Sequence, residues 1–281
     1  MPAMLPTVLV PVFNARLRLD TCLASLERTL PSGAAVLISD DASSDPHIEA
    51  LARAWCDRSK LAATYTRRES SAGLAANCNA AIDALGDADV VMLMPDAIAT
   101  SGWLQQLARC AASDAAIASV TPWSNHADLC SFPRFGEENP APAFPDTLAE
   151  ATAGIAWEEP PELPAAVGSC VLLTRAALKR CGGLDAHSFA GARALDDFCQ
   201  RAAAMGWRNV LCPAAFVARE PGDAPMESDG GELARLVARW PDYQQRMAMF
   251  ILSDPLRGLR ERVQARVDEL ARSGPQRDLF H

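Results

Sequence analysis

Asp89-Val-Val-Met-Leu-Met-Pro-Asp-Ala-Ile-Ala-Thr-Ser-Gly-Trp103 is the stretch whose reading decides the fold. Val90 to Met94 is a short apolar run, as expected of a strand buried on both faces of a sheet. Pro95 ends it, because proline has no N–H to give to a ladder. Asp96 follows at once, and Ser101 and Gly102 lead into a helix that starts near Trp103. In an open α/β sheet the ligand crevice lies just beyond the carboxyl ends of the strands, so an acid there is a site candidate by position. A turn aspartate that only caps a loop has the same local sequence. The site reading gains weight because two earlier strands finish in the same manner.

Thr7 to Phe13 reads as a first strand that runs into Asn14, with Pro11 marking where its ladder closes. Ala34 to Ser39 reads as the second and runs into Asp40-Asp41-Ala-Ser-Ser-Asp45. Pro46 then suits the first position of a helix. Leu19, Leu23 and Leu26 share one helical face between these strands, and Ile48, Leu51, Ala52 and Trp55 share another after Pro46. Leu61 to Tyr65 is a weak edge strand, followed by Arg67, Arg68, Ser70-Ser-Ala-Gly73 and a helix from Leu74 to Leu85. Strand and helix alternating at this spacing predict an α/β fold, with a Rossmann-type, mainly parallel sheet flanked by helices. Beyond a Trp103 to Ala112 helix, strands are expected at Ile117–Thr121, Val167–Thr174 and Trp207–Leu211. Leu195-Asp-Asp-Phe-Cys-Gln-Arg201 opens another helix, which Gly206 closes.

Residues 1–230 are expected to form the main domain and 231–281 a C-terminal helical appendage. Within the first, the 131–166 excursion carries seven prolines and reads as a surface loop on the acceptor side of the site. Thr147-Leu-Ala-Glu150 has capping-box spacing and predicts the start of a helix inside it. In the appendage, Ala234 to Leu252 reads as helical with a break at Pro241. Leu256, Leu259, Val263, Val267 and Leu270 then form a stripe that must be buried, either on the parent domain or in a homodimer seam.

Composition narrows the function. The chain has 281 residues, 49% hydrophobic and 22% charged, with a formal net charge of −9. No basic stripe offsets the acid excess, which argues against a nucleic-acid partner. No apolar run reaches the length of a membrane span and no charged-then-apolar leader opens the sequence, so a cytoplasmic location is expected. The nine cysteines form no C-x-x-C pair and read as buried, reduced thiols. His47, His126, His187 and His281 are scattered without metal-ligand spacing.

Asn14, Asp40, Asp41 and Asp96 all lie at strand carboxyl ends and are expected to converge. No G-x-G-x-x-G follows the first strand and no G-x-x-x-x-G-K-[ST] occurs, which disfavours a dinucleotide enzyme and a P-loop nucleotidase. Carboxylates repel phosphates directly, yet they hold a base and ribose by hydrogen bonds, with a divalent cation between acid and pyrophosphate. That combination suits a nucleotide-sugar.

From residue 7 to about 222 the chain resembles the family 2 glycosyltransferases of the GT-A fold. Val10-Pro-Val-Phe-Asn14 looks like their opening strand. Ser39-Asp-Asp-Ala-Ser-Ser-Asp45 is similar to their D-D-G-S-x-D loop, with Ala42 where glycine is usual. Ala72-Gly-Leu74 through Asn79 resembles their N-x-G-F…N segment, with Ser71 in place of the first asparagine. Asp89 to Leu104, Thr121-Pro-Trp-Ser-Asn125 with Cys130-Ser-Phe-Pro133, Val167-Gly168, and Asp197-Phe-Cys199 with Gly206-Trp207 extend the match in order. The resemblance implies donor contacts at Pro11, Phe13, Asn14, Asp40, Asp41, Ser43, Gly73, Asn79, Asp96 and Arg219. It makes Asp96 the surviving acid of the D-x-D motif, holding Mg²⁺ or Mn²⁺, and leaves Asp196 and Asp197 as candidate bases. A nucleotide-sugar donor and an acceptor on a glycan, protein or lipid follow from the same resemblance.

The departures fall at the chemistry. Met94 stands at the first D-x-D position, and a thioether is a poor ligand for Mg²⁺ or Mn²⁺. Ala194-Leu195 replaces the acidic pair that supplies the base in relatives, and Arg219 replaces a histidine. Two readings follow. One is an active, inverting sugar transferase, with Arg219 taking over part of the metal's role. The other is a degenerate domain that binds a nucleotide, a glycan or a partner enzyme without turnover.

Overall fold

Apolar runs too short for helices become the strands of one sheet, and the longer amphipathic segments cover its two faces. The computed structural model of the chain describes residues 5–137, 139–220 and 230–273. Glu138, positions 221–222 of the resemblance, and His281 lie outside them.

The first half runs β1 (Thr7–Val12), α1 (Arg16–Thr29), β2 (Ala35–Asp40), α2 (Pro46–Arg58), β3 (Ala62–Arg67), α3 (Leu74–Ala84), β4 (Val90–Leu93), β5 (Ala97–Ile98) and α4 (Trp103–Ala111). The second runs β6 (Ile117–Trp123), α5 (Pro145–Ala153), β7 (Cys170–Leu173), α6 (Arg175–Cys181), α7 (Arg193–Ala204), β8 (Arg208–Phe216), β9 (Ala218–Arg219), α8 (Gly230–Arg239), α9 (Tyr243–Ser253) and α10 (Arg257–Ser273). Among the described residues the main sheet has seven strands, in the order β3-β2-β1-β4-β7-β6-β8. Only β7 runs antiparallel to its neighbours, between β4 and β6. The short β5 and β9 pair antiparallel beside the sheet.

Alternation along β1 sorts the core. Val8, Val10 and Val12 face Leu19, Leu23, Ile48, Leu104 and Leu107 on one side of the sheet. Leu9 faces Ala75, Cys78, Ile82 and Phe198 on the other. Pro11 fits this central strand for a definable reason. The Val12 carbonyl accepts from the Asp41 amide on the β2 side, so the nitrogen of Pro11, one residue earlier, turns toward β4. There the β1 ladder has already ended at the Leu9–Met92 pair, and no N–H is needed.

Three sequence expectations change, the simplest being that the strand expected from Val167 begins only at Cys170. The helix in the excursion starts at Pro145, with Phe144 at its N-cap and no side-chain cap. Thr147 and Glu150 lie inside it, because the fixed φ of proline begins the helix before the capping box. The last long strand also continues past Leu211 to Phe216.

The C-terminal stripe closes on its own domain. Leu256, Leu259 and Val263 are buried against Trp123, Phe132 and Phe216, with Val267 packed at the margin. That face of α10 is therefore covered from within the chain. Pro241 separates α8 from α9 as expected.

Candidate functional site

Three neighbouring parallel strands, β2, β1 and β4, end on one edge of the sheet. The chain steps from β1 to β2 and β3 in one direction, and β4 lies on the other side of β1. This is the switch point at which open α/β sheets form a crevice. With strands about 4.8 Å apart, the ends of β2 and β4 lie roughly 10 Å from each other across this edge.

Asn14 joins the first two strand ends. It adopts a left-handed backbone at φ 51°. Its amide donates to Ser43 Oγ at 3.1 Å, while its Oδ1 accepts from the amides of Ser44 at 2.9 Å and Asp45 at 3.3 Å. Asp40 is 1% exposed and fully engaged. Its Oδ1 accepts from the Ser43 amide at 2.8 Å and hydroxyl at 2.6 Å, and its Oδ2 accepts from the Tyr65 hydroxyl at 2.7 Å. Burial, and then the Asp40 carboxylate, push the Tyr65 phenol well above its ordinary range, so it stays a neutral donor. Asp41 reaches across to the next loop, accepting from Ser71 Oγ at 2.7 Å and the amides of Ala72 at 3.0 Å and Gly73 at 2.9 Å. The cap of α2 is Asp45, not Asp40 or Asp41. Phe13 stands 43% exposed at the mouth of this edge.

Two residues here carry local constraints. Gly73 has φ +87°, and a Cβ on it would come within 3.1 Å of the Ala190 carbonyl oxygen. Ala42 has φ 59°, in the region that favours glycine. Ala42→Gly is therefore expected to stabilise the fold by about 1 kcal/mol, read as a higher denaturation midpoint at unchanged slope.

Asp96 is held by a different set of contacts. Ala97 pairs with Arg219 in the small ribbon, and the Glu220 amide donates to the Asp96 carbonyl at 2.8 Å. Arg219 Nε donates to Asp96 Oδ2 at 2.7 Å. Asn125 fixes the arginine backbone, its Oδ1 accepting from the Arg219 amide at 2.7 Å and its Nδ2 donating to the Arg219 carbonyl at 3.0 Å. Among the described residues the other carboxylate oxygen, Oδ1, is buried with no hydrogen-bond partner.

The remaining candidates divide. Gly73 and Ala75 place the approach to α7 beside Asp41, since the Ala75 amide donates to Ala190 at 3.1 Å. Asp196, in the first turn of α7, accepts from Arg193 Nη1 at 2.8 Å. Burial pushes its carboxyl above the usual range, against the opposing pull of Arg193 and Tyr243. Asp197 departs from the role of base. It is completely buried, with Oδ2 on Arg201 Nε at 2.8 Å and Oδ1 on Arg239 Nη1 at 2.9 Å and Trp240 Nε1 at 3.0 Å. Both oxygens are occupied by the packing of α7 against α8. Asn79 departs from the donor contact expected of it, because its Oδ1 accepts from the Leu184 amide at 2.9 Å and its Nδ2 donates to the Leu184 carbonyl at 2.7 Å. Ala194 is buried and Leu195 half-buried in the first turn of α7, and neither is an acid.

Asn77 and Tyr65 also brace this edge, with no signal in the sequence to mark them. Asn77 is buried and donates to the Ser39 carbonyl while accepting from Ser39 Oγ, both at 2.8 Å, so it fixes the approach to Asp40. A surface hollow lined by Leu5, Arg109, Ser113 and Trp157 lies at the amino ends of β1 and β6, the opposite edge of the sheet.

The residues present do not fit a divalent cation. Mg²⁺ demands near-octahedral oxygen ligation, and Mn²⁺ shares that preference for oxygen. Among the described residues no three His, Cys, Asp or Glu side chains stand together as a metal group. Asp96 offers one unpartnered oxygen, and its other oxygen already holds a guanidinium at 2.7 Å.

The chain matches the family model described as Glycosyl transferase family 2 over residues 7–182, more than half of its length. Among solved structures it is similar to GalNAc-T7 with UDP, GalNAc and Mn²⁺, at TM-score 0.64 and 14% identity, covering 93% of this chain and 54% of that one. It thus spans about half the length of that structure. It is also similar to the mannosyltransferase PcManGT of Pyrobaculum calidifontis with GDP-Man and Mn²⁺, at TM-score 0.61 and 20% identity, covering 98% and 77% of the two chains. TarS 1-349 of S. aureus with UDP-GlcNAc gives TM-score 0.55 and 14% identity over 96% and 92%. At these identities the structural likeness speaks for the fold. No curated protein sequence matched. The GT-A-like sheet, its switch-point edge and the family match over 7–182 agree, and the chain belongs to glycosyl transferase family 2.

Proposed function

We propose that the chain transfers a sugar from a nucleotide-sugar donor to a hydroxyl on a glycan, protein or lipid acceptor, with inversion at the anomeric carbon. The observation that carries this reading is the common edge of β2, β1 and β4, which gathers Asp40, Asp41, Asn14 and Asp96 in a family 2 chain. Phe13 and Pro11 wall the base, Asp40 and Asp41 with Ser43 and Gly73 form the nucleoside end, and Asp96 with Arg219 forms the diphosphate end. In the transfer, the acceptor oxygen bonds to the anomeric carbon as the bond from that carbon to the phosphate oxygen breaks. The electron pair leaves with the nucleoside diphosphate, and Asp196 takes the acceptor proton. Its raised affinity for protons suits it to that role.

A second reading, a domain that binds without turnover, is favoured by one observation. Leu195 and Ala194 bring no acid to the base position, and Asp197 is closed off by Arg201, Arg239 and Trp240. Nucleoside diphosphate release from a panel of UDP- and GDP-sugars separates the two. Turnover that falls about 100-fold or more in Asp196→Asn supports the transferase. Measurable nucleotide binding with no release from any donor supports the second reading. No described helix is long and apolar enough to cross a membrane. Nine free cysteines support a reducing compartment such as the cytoplasm.

A further inference from the structure

We infer that Arg219 is the built-in cation of the diphosphate subsite and that nucleotide binding here needs no divalent metal. The inference rests on the nucleotide-sugar reading above. Arg219 is fixed from three directions: strand pairing to Ala97, the two backbone bonds to Asn125, and the 2.7 Å ion pair with Asp96. Its side chain is 16% exposed and that of Asp96 12%, so the pair is mostly buried and still reached by solvent. Asp96 engages Nε, and among the described residues neither terminal nitrogen has a protein acceptor. Those nitrogens present N–H donors in a plane, the geometry that grips two phosphate oxygens at once.

The pair also works against a metal. A divalent ion at the free Asp96 oxygen would sit beside a guanidinium that cannot lose its charge, and the two would repel. Met94, half-buried at the end of β4, supplies sulfur where a second oxygen is needed. Asp96 is thus a positioning residue. It aims Arg219 at the edge where negative charge collects on the departing diphosphate, and a fixed cation there stabilises that charge without reorganising.

The test is calorimetric titration of the full chain with UDP and GDP, and with uridine and guanosine as phosphate-free probes, in EDTA and again with excess Mn²⁺. The expected result is diphosphate binding in EDTA that changes less than about twofold with Mn²⁺. Arg219→Gln is expected to weaken the diphosphate by about 10- to 100-fold and leave nucleoside binding unchanged. Should that variant fail to fold, the wild-type arms decide alone. Diphosphate binding that appears only with Mn²⁺, or an Arg219→Gln protein that binds the diphosphate normally, overturns the inference and leaves the nucleotide site standing. Absence of binding by every nucleotide and nucleoside under both conditions removes the site itself, and this inference with it.

Discussion

Asp197→Ala is expected to cost about 3–5 kcal/mol of folding stability, the usual result of breaking a buried ion pair from one side. For a chain of this size that corresponds to a melting temperature roughly 5–9 °C lower. The reason lies in what the substitution leaves behind. Asp197 is completely buried and is the shared acceptor of Arg201, Arg239 and the Trp240 indole. Alanine strands two guanidinium groups and an indole N–H between α7 and α8. Arg201 keeps its bond to the Gly183 carbonyl, and Arg239 keeps Asp185, so the loss is graded and the protein is expected to fold. Thermal and urea denaturation read the effect. An Asp197→Ala protein of wild-type stability that has lost only turnover would restore Asp197 as the base.

Asp41→Ala is the second large effect, and it links stability to ligand binding. The substitution removes the acceptor for Ser71 Oγ and for the Ala72 and Gly73 amides. Unsatisfied donors of this kind cost about 1–3 kcal/mol each when they stay dry, so a total loss of about 2–4 kcal/mol is expected once some reach water. The loop before α3 then loses its tie to the β2 end. Nucleotide affinity is expected to fall by at least about tenfold, because Gly73, at the proposed nucleoside end, is no longer held in place. Urea denaturation and calorimetry on the same preparation check both halves. A variant with wild-type affinity would place the nucleotide elsewhere.

Much of this site was legible because strand ends announce themselves. Apolar runs that stop at proline, asparagine or paired aspartates placed Asn14, Asp40, Asp41 and Asp96 on strand termini, and the parallel order of β2, β1 and β4 carried them to one edge. Order within the sheet was less visible. The apolar run of Cys170–Leu173 looks the same whether it pairs parallel or antiparallel, so the insertion of β7 between β4 and β6 left no local mark.

Side-chain roles were hidden for a related reason. Asp197 and Asn79 sit in motif positions, but their partners come from far along the chain: Arg239 lies 42 residues beyond Asp197, and Leu184 lies 105 beyond Asn79. Spacing along one helix cannot report what packs against it. Asn125 lies within a motif that assigns it no role, because its function is a pair of backbone bonds to Arg219, 94 residues away. Pro145 was visible in sequence, yet the capping-box spacing of Thr147 and Glu150 competed with it, and the proline determined where α5 begins.

A crystal of the protein soaked with the tightest-binding nucleoside diphosphate tests the central claim most directly. The predicted result is the base beside Phe13 and Asp40 and the diphosphate within hydrogen-bond distance of the Arg219 terminal nitrogens, at the edge formed by β2, β1 and β4. A nucleotide seated in another part of the molecule, or one whose phosphates point away from Asp96 and Arg219, would contradict it.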